Sequence, residues 1–215
     1  IPSYRPLPAE EKNKIRKQYG VCKDEKLIFL YTSIGYLIKR AVFLKAYEVV
    51  KKLRENGKKI KIIYFGDNLS GLLGAKDRQW FLLRKRTSAK HFSKVLASSD
   101  LVFQHQGLAT LEQAIGAQIP VIANVKDKKD EKNPTLHRHA WEVGPFAQYG
   151  ACAMFFFHDS VSKVMNMTEN LLFNERRRKK MISRQRMLYA EGEAGVYNEA
   201  IKLLENNNFS LRSKL

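Results

Sequence analysis

At 215 residues the chain is long enough to bury the core of one domain, or of one domain with an appendage. Its 39 Lys and Arg against 21 Asp and Glu leave a formal net charge of +18, which favours anionic partners, phosphate groups first; composition does not choose among a nucleotide, a nucleic acid and an anionic membrane face. Cys22 and Cys152 have neither Cys-x-x-Cys nor Cys/His spacing, which argues against a disulfide framework and a zinc site, and no apolar run reaches the roughly 20 residues of a membrane span.

The chain opens at Ile1 on a proline-bearing stretch, PSYRPLPAEEKNK, that reads as a linker entering a helix over 9–19; the expectation is a piece of a longer protein. KLIFLYT (26–32) reads as a buried strand. Val42, Ala46, Val49, Val50 and Leu53 then fall in helical register over 39–56, closed by Asn56-Gly57. KIKIIYFG (59–66) predicts a second strand, NLSGLLGAKD (68–77) a glycine-bearing loop, DLVFQH (100–105) a third strand, 109–118 a helix and PVIANV (120–125) a fourth strand. Apolar strands alternating with helices predict an α/β fold, a Rossmann-like open parallel sheet with helices on both faces. Trp80, Phe81 and Trp141 suit the core better than a sugar-stacking platform. Positive charge gathers at 81–94 and 174–186, whereas 126–132 is nearly balanced and reads as a solvated loop. The 174–186 run, with Met181, Ile182 and Met187, predicts a basic helix suited to solvent or to an anionic lipid surface.

In such sheets ligands bind beyond the carboxyl ends of the strands, where loops enter helix N-termini. Three loops qualify: TSIGY (32–36), FGDN (65–68) and HQGLAT (105–110). In the last, His105 leaves the strand, Gly107 admits close backbone approach and Thr110 begins the helix, whose free amides and positive end form an anion site. His105 equally suits a strand-end cap, and Ser33 with Gly35 a simple tight turn. His137 and His139 lack a third ligand, so no metal is expected.

The pattern H-x-G-x-x-T-x-x-[E/Q]-A followed by a proline and a strand resembles the nucleotide-sugar-binding half of GT-B glycosyltransferases, in particular the UDP-sugar enzymes that make lipid II and glycosyl-diacylglycerols. PLPAEEKNKIRKQYGV stands where that family has its interdomain linker and first helix, LYTSIGY at its first loop, and FSKVLASSDLVFQHQG at the helix and strand that place the pyrophosphate. HAWEVGPFAQYGACAMF (139–155) resembles the segment that returns to the ribose and sugar, and EGEAGVYNEAIKLLE (191–205) the closing helix. The resemblance implies one half of a GT-B fold: linker and first helix over 1–20, donor domain over 21–205 and a polar tail over 206–215. It puts Ser33 and Gly35 near the diphosphate and gives His105, Gln106, Gly107 and Thr110 the same phosphate site. Gln113 stands where the family has a ribose-binding glutamate, with Glu112 beside it. His139 and Glu142 stand where it has Gln and Asn, and Gln118-Ile119-Pro120 where it often has Gly-x-Pro.

The implied reaction is displacement at the anomeric carbon of a nucleotide diphosphate sugar, UDP-linked, by an acceptor hydroxyl, the acceptor being lipid-linked or a glycan. The base comes from an N-terminal domain outside this chain, so no catalytic residue is nominated and the fragment alone is expected to be inactive. No permanently bound cofactor is implied. The alternatives are a nucleotide-sugar hydrolase or epimerase of the same fold, for which Glu142 is the carboxylate at hand, and a basic nucleic-acid-binding module. The basic runs lack the interleaved aromatics of a stacking platform, which weighs against nucleic acid. The expected place is the cytoplasm, peripheral on the inner membrane face. The terminal Ser213-Lys214-Leu215 matches a peroxisomal address, read as coincidence.

Overall fold

The computed structural model describes residues 4–32, 36–66, 69–126 and 138–190. Among these, six strands form one parallel sheet: β1 (Lys26–Tyr31), β2 (Ile60–Phe65), β3 (Phe81–Arg84), β4 (Leu101–His105), β5 (Val121–Val125) and β6 (Ala153–Phe156), in the order β3-β2-β1-β4-β5-β6. The helices are α1 (Ala9–Gln18), α2 (Tyr36–Glu55), α3 (Ala89–Ser98), α4 (Leu108–Gly116), α5 (Arg138–Tyr149), α6 (Val161–Phe173) and α7 (Glu175–Ala190), with short 3-10 turns at Ser70–Leu72 and Ala75–Gln79. The expected α/β architecture is present with two strands more than the sequence predicted. Ala75–Gln79, whose first three residues fall in the glycine-bearing loop expected over 68–77, is a 3-10 turn feeding β3. None of the described helices is long and apolar enough to cross a membrane.

Each strand alternates between two apolar layers because successive side chains leave opposite faces of the sheet. Leu27, Phe29, Val102 and Val121 join Ile15, Val95, Leu111 and Val143 of α1, α3, α4 and α5 on one face. Ile28, Leu30, Phe103 and Ile122 join Phe43, Val49 and Leu53 of α2 and Leu172 of α6 on the other. Burial on both faces explains why β1, β4 and β5 read as unbroken apolar runs. At the β3 end, Tyr47 stacks on Trp80 (5.7 Å, 5°) and Arg54 covers the same indole (5.4 Å). Both rings donate to Asp77, Tyr47 Oη at 2.7 Å and Trp80 Nε1 at 3.2 Å. Burial first, and Asp77 second, push the Tyr47 phenol up to about 12, so it stays a donor. Trp80 and Phe81 are buried; the Trp141 side chain lies outside the described residues.

α7 changes sides. Met181 joins the layer of α2 and α6, while Leu188 joins that of α4 and α5. Between them the fully buried Gln185 donates Nε2 to Ile119 O (3.0 Å) and Ala151 O (2.9 Å), the carbonyls that lead into β5 and β6. The helix therefore passes under the amino-terminal ends of these strands.

At the same edge Asp100 accepts from Arg16 Nη1 (2.7 Å) and the Leu27 amide (2.8 Å). Burial works against the Asp100 anion, but Arg16, Lys12 and these hydrogen bonds outweigh it and hold the carboxyl below the ordinary aspartate range. Asp100→Ala strands the Arg16 cation and is expected to lower unfolding free energy in urea by about 3 kcal/mol. Because the folded carboxyl titrates below the unfolded one, the ionised group's contribution is complete above the unfolded value, about 4, and is lost as pH falls through the folded value. The stability gap between the wild-type chain and Asp100→Asn should accordingly narrow on acidification below that point and stay constant between pH 6 and 8.

Candidate functional site

Parallel pairing brings the carboxyl ends of β1, β4 and β5 to one edge. β4 ends in Gln104-His105 and β5 in Asn124-Val125, and their register sets His105 opposite Asn124 on the same face of the sheet. The Gln106 amide donates to Asn124 O at 2.8 Å and extends the ladder one residue past the strand. The His105 ring lies 5.7 Å from the Phe157 ring. Gln104 leaves the other face and its Nε2 donates to Gly107 O (3.3 Å), bracing the loop from beneath.

This strand end is polar and closed to water at once. Gln104 and His105 are 0% exposed, Asn124 1%, Gln106 4% and Thr110 5%. Gln104 Oε1, Gln106 Oε1 and Asn124 Oδ1 are buried, with no hydrogen-bond partner among the described residues. Each such acceptor costs about 1–3 kcal/mol if nothing satisfies it, so three at one strand end are a concentrated energetic cost.

Gly107 caps α4 with φ 136° and ψ 106°, a conformation that L side chains rarely adopt. α4 has no side-chain cap, whereas Ser88 and Ser160 accept from His91 N and Lys163 N at the starts of α3 and α6. The first-turn amides of α4 and the positive end of its dipole are therefore directed at the polar strand end, the arrangement that receives an anion.

The structure brings His105, Gln106, Gly107 and Thr110 together here. Ser33 and Gly35 lie outside the described residues, as do Asp67 and Asn68. Thr32, at the mouth of β1, is buried and donates Oγ1 to Tyr64 Oη (3.3 Å). The Tyr64 phenol fills the space a Cβ at Gly66 would take. Gln113 is one turn further along α4 and accepts from Ser93 Oγ of α3 (3.2 Å), so its carbonyl is engaged between helices. Glu142, half-buried, stands in the second turn of α5, whose N-terminus shares the site's edge; His139 is on the same helix with its side chain outside the described residues. Gln104, Asn124 and Thr32 belong to this strand end and were not singled out from the sequence. The signal available was a polar residue within an otherwise apolar strand, in VFQH and VIAN.

Among the described residues no group of three or more His, Cys, Asp or Glu gathers to hold a metal ion. Cys152 is buried, and burial pushes its thiol up to about 12, which disfavours the thiolate.

No family model and no curated protein sequence matches the chain. Solved structures do match it. WaaG, a glycosyltransferase of lipopolysaccharide biosynthesis, aligns over 95% of this chain and 53% of its own with TM-score 0.65 at 13% identity. Staphylococcus aureus MnaA, solved with UDP, aligns over 82% and 44% with TM-score 0.60 at 15% identity. The wall teichoic acid polymerase TagF aligns over 94% and 49% with TM-score 0.56 at 14% identity. The chain spans about half the length of these proteins. Identities this low establish architecture: the chain has the Rossmann-like fold of one half of a GT-B protein.

A methyl group at Gly107 meets ordinary contacts, Tyr31 Cε1 at 3.6 Å and His105 O at 3.7 Å, so backbone conformation is what resists it. Gly107→Ala is expected to destabilise the chain by about 1–3 kcal/mol in urea titration and to shift the strand-to-helix turn, read by amide NMR shifts confined to 104–112.

Proposed function

We propose that the chain is the donor-binding half of a glycosyltransferase that takes a nucleotide diphosphate sugar, UDP-linked, and passes its sugar to an acceptor hydroxyl. The observation that carries this reading is the set of buried carbonyl acceptors at the ends of β4 and β5, set against the uncapped N-terminus of α4 at Gly107. The two halves of that surface suit the two halves of such a ligand. The amides following Gly107 and the Thr110 hydroxyl receive phosphate oxygens, and the amide side chains of Gln106 and Asn124 pair with hydroxyl groups. The fold likeness to a glycosyltransferase and to a protein solved with UDP supports the same assignment.

In the transfer step the bond between the anomeric carbon and the terminal phosphate oxygen breaks as the acceptor oxygen attacks, and negative charge builds on the departing UDP. Donors fixed beforehand at that position stabilise the charge as it forms. In this reading His105 and the α4 amides do so, with Ser33 and Gly35 also assigned to the diphosphate and Gln113, His139 and Glu142 to the ribose and sugar. The acceptor, lipid-linked or a glycan, and the base that deprotonates it belong to a second domain. The chain's formal charge of +18 favours the approach of an anionic donor.

Isothermal titration of the chain with UDP and with uridine tests the reading. UDP is expected to bind and uridine to bind at least tenfold more weakly. Gln106→Glu and Asn124→Asp, nearly isosteric, should each weaken UDP at least tenfold by bringing a buried negative charge close to the diphosphate held by the α4 amides, with melting temperature in the absence of ligand as the folding control. Failure of UDP, GDP, dTDP and CMP alike to bind or raise the melting temperature would overturn the proposal. A second assay addresses the division of labour: the isolated chain is expected to transfer no sugar from UDP-glucose, UDP-galactose or UDP-N-acetylglucosamine.

A further inference from the structure

α7 carries five arginines and two lysines against the single Glu175. Its buried stripe is Met181, Gln185 and Leu188, flanked by half-buried Arg178, Ile182 and Arg184; the other described positions from Glu175 to Leu188 are exposed. Arg178 and Lys179 share Glu175 (3.7 and 3.4 Å), and Arg186 donates to Gln118 Oε1 (2.7 Å). Arg176, Arg177, Lys180 and Arg184 have no acidic partner among the described residues; Arg184 lies over the Tyr149 ring at 5.3 Å.

Three of these cations, Arg177, Lys180 and Arg184, line a groove of about 710 Å³ between the end of α5, the start of β6, α6 and α7. Tyr149 and Met181 supply apolar wall, and Asn166 and Asn170 supply amides. The two exposed large apolar side chains among the described residues bracket the helix, Phe173 (38% exposed) just before it and Met187 (49%) in its last turn. Cations between apolar ends, above a groove with mixed walls, match a surface of phosphate headgroups over acyl chain. They match a polynucleotide less well, since among the described residues Phe173 is the one large aromatic exposed, which makes no row of stacking rings.

We propose that this face of α5, α6 and α7 docks the protein on an anionic phospholipid bilayer, with the groove taking a headgroup phosphate between Arg177, Lys180 and Arg184. The face lies where α7 passes under the start of β6, at the opposite edge of the sheet from the Gly107 strand end, so docking does not cover that strand end. The inference does not rest on the nucleotide-sugar reading.

Sedimentation of the 215-residue chain with vesicles tests it. Binding is expected to phosphatidylcholine vesicles containing phosphatidylglycerol, falling steeply as salt rises, and not to phosphatidylcholine alone. Arg177→Glu, Lys180→Glu and Arg184→Glu combined should lower partitioning roughly 100-fold. The milder Arg177→Ala with Lys180→Ala should lower it about tenfold, at an unchanged melting temperature. Lys85→Glu with Arg86→Glu, at the far side of the sheet, should change it by no more than about twofold. Equal partitioning of the triple variant, equal binding to neutral vesicles, or absence of vesicle binding would each overturn the proposal. Retention of single-stranded DNA through these same residues without vesicle binding would replace the membrane by a nucleic acid. His105→Ala should leave vesicle binding intact, which separates this test from that of the donor site.

Discussion

Asp100 and Leu27 close a ring of two hydrogen bonds, Asp100 N to Leu27 O at 2.7 Å and Leu27 N to Asp100 Oδ2 at 2.8 Å, and Arg16 neutralises the carboxylate from α1. That ring fixes the relative height of the two central strands: Ile28 lies opposite Leu101 and, three residues on, Tyr31 opposite Gln104. Register is all or nothing here, since a slip of one residue would turn every buried side chain to the wrong face. Arg16 also donates to Glu25 O (2.6 Å) and Ser98 O (3.4 Å), so the same cation joins α1, the turn before β1 and the end of α3. The carboxyl ends at Thr32 and His105 emerge level because the amino ends are pinned.

The polar cluster at those ends is unusual for its position more than for its composition. A parallel sheet covered on both faces offers little water to a side chain in its central strands. Gln104 and His105, the last two residues of β4, and Asn124, the last but one of β5, nevertheless stand there at 0–1% exposure. Phe103 and Ala123, one residue before Gln104 and Asn124, are wholly apolar, so the polarity begins abruptly near the strand ends. The low dielectric that makes an unsatisfied amide costly also strengthens any hydrogen bond a ligand makes there. A short boundary between dry core and open edge is thus where fixed dipoles act most strongly.

Much of this was legible in the chain. β1, β2, β4 and β5 stood out as apolar runs because both of their faces are buried, and Gly107 stood out because a glycine between a strand and a helix implies a backbone need. β3 and β6 did not stand out. Each is four residues at a sheet edge, and β3 runs directly into Arg84-Lys85-Arg86, so its FLLR read as the start of a charged stretch. α6 gave no distinct signal either, since Met165, Asn166 and Met167 blur its apolar period. Asn124 became a site residue only through the register that faces it with His105, a relation between residues on neighbouring strands that no local pattern carries. Gln113 illustrates the converse: its position relative to Thr110 was readable, but its bond to Ser93 depends on how α3 and α4 pack.

The ladder of Tyr47, Trp80 and Arg54 has a bearing on solubility. An edge strand offers a row of unmatched backbone groups to any passing chain, and β3 is the outermost strand on its side. Indole and phenol, locked together through Asp77, stand over its first residues, and guanidinium and ammonium groups crowd its exit. Only a four-residue length lies between these two guards. At high concentration, foreign β-segments would find a short, charged and half-shielded template there, a built-in restraint on sheet-to-sheet growth.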